Sequence, residues 1–374
     1  MIPRPARRPR GIALVLTLVV VLLVTMFVSE FFFSTGLELR SLQTYQETHR
    51  ARSLARSAFK VVLIGLMKDE ADFFQAYRQL EQLLQLAAVP WEDGLLIDLK
   101  VQPLDALYNL NELYNIKPDS AFEQVRWLLF ASTLDQVLLP APDGVGPPAP
   151  PEEALVKELY SAFTDWIDSD HIPYLQLGTQ GGENDAYFDH EPEIAVKNAP
   201  LDQLTEIRLV KGVVESRIPW SEWEARFAAL PKRGSGASPY PEKLNVNYAT
   251  REEIVRFLEA RQVVGDLNDA SVEDLQKALN EYANHAQSIA EVLVPLEGGH
   301  STLTEAAINA ALSTIPGINA KYAKQVFSTF NQYYRVRLTT EVNDVQARLE
   351  AVLFVERNPN RTGKDLSILQ FAFQ

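Results

Sequence analysis

A long apolar segment near the N-terminus constrains this chain more than any other feature. From Gly11 to Val28 the only polar residues are Thr17 and Thr25. As a helix this segment spans about 27 Å, close to the hydrocarbon thickness of a bilayer. The leader ahead of it is basic and carries Arg4, Arg7, Arg8 and Arg10. Arginines at this end hold it on the cytoplasmic side. The sequence therefore predicts one transmembrane helix over residues 12–29, with the rest of the chain beyond the membrane.

Three interpretations of this start compete. A cleaved signal peptide has a shorter apolar core and a small-x-small cleavage site, which is missing here. A plain signal anchor fits the apolar segment. A type IV prepilin leader also fits, because Arg10-Gly11-Ile12 has the form of a prepilin junction. In that case residues 1–11 are a leader that a prepilin peptidase removes after Gly11, and Ile12 becomes the methylated terminus. The fifth residue after the cut is Leu16, where major pilins have Glu.

Composition excludes several classes of protein. The 374 residues suffice for two or three domains. Without the four leader arginines, 31 basic residues face 49 acidic ones, a net charge of −18. Such a charge argues against a nucleic-acid partner, which requires a basic face. The chain has no cysteine, which excludes disulfides and zinc–thiolate sites. Its five histidines show no metal-binding spacing.

Periodicity predicts the fold. Apolar residues recur at helical spacing from Leu37 to Leu84, and Pro90 closes the pattern. Residues 95–101 and 107–111 are strand-like, 123–138 and 152–167 are helical, and apolar residues alternate from Tyr333 onward with a turn at Asn343-Asp344. We therefore expect an α+β fold in which a long N-terminal helix packs on an antiparallel sheet, with a large, mostly α-helical insertion. The predicted divisions are 1–11 (leader), 12–29 (transmembrane helix), 30–111 (rest of the long helix and first strands), 112–325 (insertion) and 326–374 (C-terminal strands).

The segment 165–198 is the most acidic part of the predicted insertion. Its carboxylates flank a glycine-rich turn, and clustered carboxylates repel one another unless a cation intervenes. Hard oxygen ligands on a loop suit Ca²⁺, although the EF-hand spacing is absent. A solvated acidic loop explains the same pattern, and paired-carboxylate catalysis is a third interpretation.

The segment 244–325 resembles a helix-hairpin-helix module. Thr250 and Glu253 have the spacing of a capping box, and Ile315-Pro316-Gly317 resembles the hairpin. Such modules often bind DNA, but this one lacks the second glycine and is acidic. We interpret it as a packing module.

Several motifs in this order resemble the type II secretion minor pseudopilin K, the general secretion pathway protein K family. The resemblance rests on Gly11 before an apolar helix with Leu16, and on the segments 107–111, 165–170, 182–187, 200–212 and 244–249. It implies a pilin-like fold without enzymatic activity, anchored once in the inner membrane with its bulk in the periplasm. It places the chain at the tip of the pseudopilus, where it initiates or caps assembly.

The resemblance also implies partners and a cofactor. The partners are minor pseudopilins I, J and H, the major pseudopilin, the prepilin peptidase and membrane lipid. The net charge of −18 separately predicts no nucleic-acid partner. The implied cofactor is Ca²⁺, with ligands among Asp165, Asp168, Asp170, Glu183, Asp185 and Asp189. The alternatives are a minor pilin of a type IV pilus or competence system, and a membrane-anchored hydrolase.

Overall fold

The first helix, α1, runs from Arg10 to Lys68 and dominates the molecule. The computed structural model describes residues 10–68, 70–118, 120–139, 148–179, 182–183, 187, 195–231, 242–247, 249–262, 270–294, 303–357 and 364–373. The front half of α1 is exposed, from Leu14 to Tyr45. Its rear half buries one face, because Ala51, Ala55 and Phe59 recur at helical spacing toward the sheet.

The predicted helical pattern up to Pro90 forms two helices instead of one. A second helix, α2 (Glu70–Leu86), follows α1 and packs against it. The absence of a side chain at Gly65 permits this approach, because a Cβ there would lie 2.4 Å from the ring of Phe73. A glycine within the periodic pattern thus marks where two helices touch.

Five antiparallel strands form the sheet that α1 covers. They are β1 (Val89–Trp91), β2 (Gly94–Pro103), β7 (Tyr333–Val342), β8 (Val345–Arg357) and β9 (Lys364–Phe373), in the spatial order β1-β2-β7-β8-β9. Alternate residues of β7 and β8, such as Val336, Leu338 and Leu349, pack against α1. This period of two confirms the predicted meander.

The β7–β8 hairpin turns at the predicted dipeptide. Asn343 and Asp344 have φ angles of +48° and +66°. Two consecutive positive φ angles match a type I′ turn, whose twist suits a two-residue hairpin. The expected pilin-like α+β fold, with a long helix on an antiparallel sheet and a large helical part, is confirmed.

The helical part lies between β2 and β7 in the chain. Its helices are α3 (Ala121–Asp135), α4 (Glu153–Ile167), α5 (Trp220–Arg226), α6 (Arg251–Glu259), α7 (Ala270–Asn284), α8 (Ala286–Leu293), α9 (Glu305–Leu312) and α10 (Ala323–Val326). Two short parallel pairs join its distant segments: β3 (Tyr108–Asn109) with β4 (Phe227–Ala228), and β5 (Leu244–Asn245) with β6 (Phe327–Ser328). A core of its own holds these elements together, and edge-to-face rings such as Tyr108, Phe130 and Phe163 fill it.

The prediction that residues 107–111 add a strand to the pilin-like sheet is wrong. Only Tyr108 and Asn109 are extended, and they pair with β4 inside the helical part. The next four residues, Leu110–Leu113, form a 3₁₀ helix. Burial of Tyr108 against α3 and β4 decides this placement, which an alternation of apolar residues cannot specify. The five predicted domain bounds stay predictions.

The helix-hairpin-helix-like segment 244–325 begins with the predicted capping box. The Thr250 hydroxyl accepts the Glu253 amide, and the Glu253 carboxylate accepts the Thr250 amide, so the predicted capping box is confirmed. Gly317 has a φ of +88° after α9, where a left-handed residue turns the chain.

Candidate metal centre

The acidic segment begins in the last turn of α4, which positions its first two carboxylates. Asp165 lies inside the helix and Asp168 immediately follows its last residue, Ile167. The backbone then returns over the helix end, where the Asn198 amide donates to the Trp166 carbonyl oxygen at 3.1 Å.

Asp165 ties two parts of the loop to α4. Its Oδ1 accepts the Tyr174 amide at 2.7 Å, and its Oδ2 accepts the Gly182 amide at 2.5 Å. The side chain is fully buried. Burial raises the pKa of Asp165 to about 6 despite these two donors. Both oxygens of this predicted ligand therefore organise the loop, and they face backbone amides.

Three other predicted ligands come together beside it. Carboxylate oxygens of Asp168, Asp170 and Glu183 all lie within 4.8 Å of one another. Glu183 is buried, Asp168 is half-buried and Asp170 is exposed. We call these three residues the carboxylate cluster. The Asp170 carboxylate also accepts the Ile172 amide at 2.8 Å, which holds the loop in a tight turn.

The electrostatics of the cluster favour neutralisation. Burial, and then the charges of Asp170, Asp165 and Glu183, raise the pKa of Asp168 to about 7. Asp168 Oδ1 is buried and has no hydrogen-bond partner among the described residues. A site with these features gains either a proton or a cation.

The donor set fits a hard divalent cation. Calcium binds oxygen at 2.3–2.6 Å, so two oxygens on one ion are at most about 5 Å apart. The separation of 4.8 Å within the cluster satisfies that limit. Water or backbone carbonyls would complete the six to eight ligands that calcium takes.

Two predicted ligands, Asp185 and Asp189, lie outside the described residues. Conversely, the sequence placed Asn198 ahead of a helix start but did not predict its contact with Asp170. Its Nδ2 donates to the Asp170 carbonyl oxygen at 2.8 Å, and its φ is +48°. Asparagine adopts the left-handed conformation more readily than most residues, and this preference is the only signal in the sequence for it.

The residues predicted to matter at the N-terminus lie on α1. Gly11 and Ile12 lie in the first turn of α1, while residues 1–9 are outside the described part. The side chain of Leu16 is 65% exposed. Among the described residues, one helix is long and apolar enough to cross a membrane, and its most apolar stretch has no buried residue. This helix is consistent with a single-pass membrane anchor.

A cavity of about 500 Å³ lies where α2 and β2 face α3 and α6. Its described lining includes Tyr77, Leu129 and Phe257 together with acidic and basic side chains, but no histidine, serine or cysteine. Among the described lining residues there is therefore no Ser–His or Cys–His pair.

The geometry first defines a class: a pilin-like protein in which a helical insertion between two sheet strands carries a carboxylate cluster. Residues 106–219 match the family model described as Type II secretion system (T2SS), protein K. The fold matches a chain of the crystal structure of the GspK-GspI-GspJ complex from enterotoxigenic Escherichia coli Type 2 Secretion System. That match has a TM-score of 0.54 and 16% identity, and covers 90% of this chain and 99% of the other. No curated protein sequence matches significantly.

The resemblance to the type II secretion minor pseudopilin K is therefore confirmed. The matched segment starts before the 3₁₀ helix at Leu110–Leu113 and ends at Pro219, so it includes α4 and the carboxylate cluster.

Proposed function

We propose that this chain is a minor pseudopilin at the tip of the type II secretion pseudopilus, where it initiates or caps assembly. One observation carries the proposal: α1 has an exposed apolar front half and a rear half packed on an antiparallel sheet. An apolar helix that protrudes from a folded body must be covered by lipid or by sibling helices. The likeness to a chain of a GspK-GspI-GspJ complex supports pseudopilins I and J as those siblings.

Two features favour the tip over the shaft. Leu16 replaces the glutamate that a shaft subunit directs at the terminus of the subunit ahead. The insertion between β2 and β7 gives the body a bulk that repeating shaft subunits would have to accommodate. In this proposal the chain acts by assembly and not by catalysis.

Processing and placement can be tested directly. We propose that the chain waits in the inner membrane with its bulk in the periplasm and is trimmed before Ile12. Mass spectrometry of the membrane-extracted protein should find Ile12 as the terminus in cells with an active prepilin peptidase, and an intact Met1 contradicts this. Antibodies against the insertion should label one end of sheared pseudopili, whereas label along the fibre would refute a tip position.

The proteins that co-purify with the chain distinguish a type II secretion pseudopilin from a type IV or competence pilin. Tagged protein extracted from its own membranes should co-purify with pseudopilins I, J and H. Recovery of type IV or competence pilins in their place would favour that alternative.

We further propose that the carboxylate cluster binds Ca²⁺. With ~1 mM Ca²⁺ and a dissociation constant of ~0.1 mM, binding adds about 1.4 kcal/mol to the free energy of unfolding. Such a gain raises Tm by about 2 °C for a chain of this length. The increase should vanish with EDTA and in Asp168→Asn. The matched control is Asp274→Asn, because Asp274 is an exposed aspartate on α7 outside the cluster. Equal Ca²⁺ shifts in both variants would rule the cluster out.

A further inference from the structure

The last 21 residues of α1 carry only basic charges. Residues 48–68 contain five lysines and arginines and no aspartate or glutamate, whereas the whole chain has a net charge of −14. These residues are Arg50, Arg52, Arg56, Lys60 and Lys68. A local excess of this sign on an acidic protein creates a positive potential that attracts an anionic surface.

Three of these cations lie along one line of the helix. Arg52, Arg56 and Lys60 are spaced four residues apart, so successive side chains are about 6 Å apart. All three are exposed. None forms an ion pair with any residue that the structure describes. Like charges at this spacing repel by about 0.2–0.5 kcal/mol per pair, so anions opposite the line would stabilise it.

The sheet edge holds two of these arginines in place. The guanidinium carbons of Arg52 and Arg56 lie 5.6 and 5.2 Å from the ring centre of Phe373 on β9. Phe371, 44% exposed, packs edge-to-face against the same ring. We call Arg52, Arg56, Lys60, Phe371 and Phe373 the basic flank. Arg52 and Arg56 thus lie over one aromatic ring at the outer strand of the sheet, where partial desolvation strengthens an ion pair.

The distance from the membrane excludes lipid headgroups as the anions. Arg52 lies 24 residues beyond Val28, the end of the apolar segment. In a helix this is about 36 Å. At physiological ionic strength charges are screened over about 8 Å. The anions that can face this line are then those of a protein that runs alongside α1, as the proposed assembly supplies.

The basic flank continues into the apolar front of α1. Eighteen residues make five full helical turns, so Leu42 lies directly in line with Lys60. Eleven residues are close to three turns, so Tyr45 lies on the same face as Arg56. Leu42 and Tyr45 are 58% and 71% exposed. A helix that packs on this line near the membrane therefore reaches the cations farther out.

We infer that the basic flank binds the helix of a neighbouring pseudopilin through carboxylates spaced three or four residues apart. The inference rests on the proposed function, because packing of the apolar front against sibling helices brings such a helix alongside. Carboxylates at this spacing match the 6 Å interval of the line, and each guanidinium can hold one carboxylate with two hydrogen bonds.

Binding of the full-length chain to full-length pseudopilins I and J, purified in detergent, tests this inference. The test variant is Arg56→Glu/Lys60→Glu. The control is Arg50→Glu/Lys68→Glu, which makes the same charge change on one line about a third of a turn away. We expect the test variant to bind at least tenfold more weakly and to lose salt dependence between 50 and 300 mM NaCl. The control should change less than twofold, and both variants should keep the Tm of the unmodified chain.

The outcomes separate the inference from the proposed function. If the unmodified chain binds but both variants bind equally well, or equally poorly, the inference is overturned while the proposed function stands. If the unmodified chain binds neither pseudopilin, the proposed function fails and the inference fails with it.

Cross-linking identifies the opposing segment. Because the chain lacks cysteine, Ser53→Cys places a single thiol on the exposed side of α1 next to the basic flank. A benzophenone attached there should label a helical peptide of pseudopilin I or J with two or more carboxylates three or four residues apart. Replacing those carboxylates by lysine should restore binding to Arg56→Glu/Lys60→Glu. Labelling of a segment without carboxylates, or failure of the restoration, overturns the inference.

Discussion

The buried ion pair between Arg126 and Glu242 should control the stability of the insertion. Arg126 is fully buried, and its Nη1 lies 2.7 and 3.0 Å from the two Glu242 oxygens. Its Nη2 donates to the Asn109 carbonyl oxygen at 3.0 Å, and the guanidinium lies 4.0 Å from the ring centre of Tyr108. Burial alone would raise the pKa of Glu242, but Arg126 and Arg261 outweigh it, so the pKa falls below its usual value. Both groups are therefore charged inside the core.

Arg126→Met keeps most of the side-chain volume and removes the charge. Glu242 then retains the Asn109 amide at 3.0 Å and Arg261 at 4.0 Å. Removing one partner of a buried pair costs about 3–5 kcal/mol, because the other charge stays desolvated. We expect a loss near the lower end, about 3 kcal/mol, since Arg261 provides partial compensation.

The double variant separates two energy terms: the loss of the ion pair and the cost of a buried charge without a partner. Arg126→Met/Glu242→Met leaves no uncompensated carboxylate. Arg261 loses its carboxylate partner at 4.0 Å but still donates to the backbone carbonyl oxygen of residue 242 at 2.8 Å, so this variant should be less destabilised than Arg126→Met alone. A coupling energy of about 2 kcal/mol is expected from this cycle. The assay is urea unfolding of residues 34–374, followed by the fluorescence of tryptophans such as the buried Trp223.

An exposed pair provides the control. Lys277 pairs with Glu273 on the surface of α7, and Lys277→Met should change the free energy of unfolding by less than about 0.5 kcal/mol. If Arg126→Met lies within about 1 kcal/mol of the unmodified protein, or the two replacements add without coupling, the reasoning from burial is refuted.

Three further predictions follow from single contacts. In EDTA, the free energy of unfolding should rise as the pH falls from about 8 to 6. The reason is that the pKa of Asp168 is about 7 in the folded state and about 3.9 in the unfolded state, so the folded protein binds the proton more tightly. Urea unfolding at each pH should show a smaller dependence on pH for Asp168→Asn. Gly65→Ala should lower Tm, because overpacking against Phe73 costs about 1–3 kcal/mol, more than the gain in helix propensity of about 1 kcal/mol. Adding Phe73→Leu to this variant should recover part of the lost Tm. Asp344→Val should lower the free energy of unfolding by about 1–2 kcal/mol in urea, because a β-branched residue is unfavourable at a φ of +66°. Asp344→Gly should not lower it. Equal losses in both variants would contradict the turn assignment.

Local periodicity predicted those elements whose determinants lie within a few residues of one another. The exposed apolar front of α1, the alternation along β7 and β8 and the capping box at Thr250 are of this kind. A helix repeats every 3.6 residues and a strand every two, so their buried faces can be read along the chain. The turn at Asn343-Asp344 is equally local, because both residues tolerate a positive φ.

The acidic segment was predictable as a segment but not as a site. Asp168 and Asp170 are close in the chain, and their crowding predicts a gain of a proton or a cation. That Glu183 joins them while Asp165 holds backbone amides depends on how the loop returns over α4. Side chains of one type receive different roles from burial and donor geometry, which composition does not contain.

The sequence by itself determined a membrane-length helix, the sheet that covers its rear half and an acidic, cysteine-free body. Tertiary structure alone decided that Tyr108–Asn109 pairs with Phe227–Ala228, that Arg126 meets Glu242, and that Arg52 and Arg56 stack on Phe373. These contacts join residues more than a hundred positions apart. Which distant groups meet is decided by burial of apolar surface and by compensation of desolvated charge, and both depend on the whole packed chain.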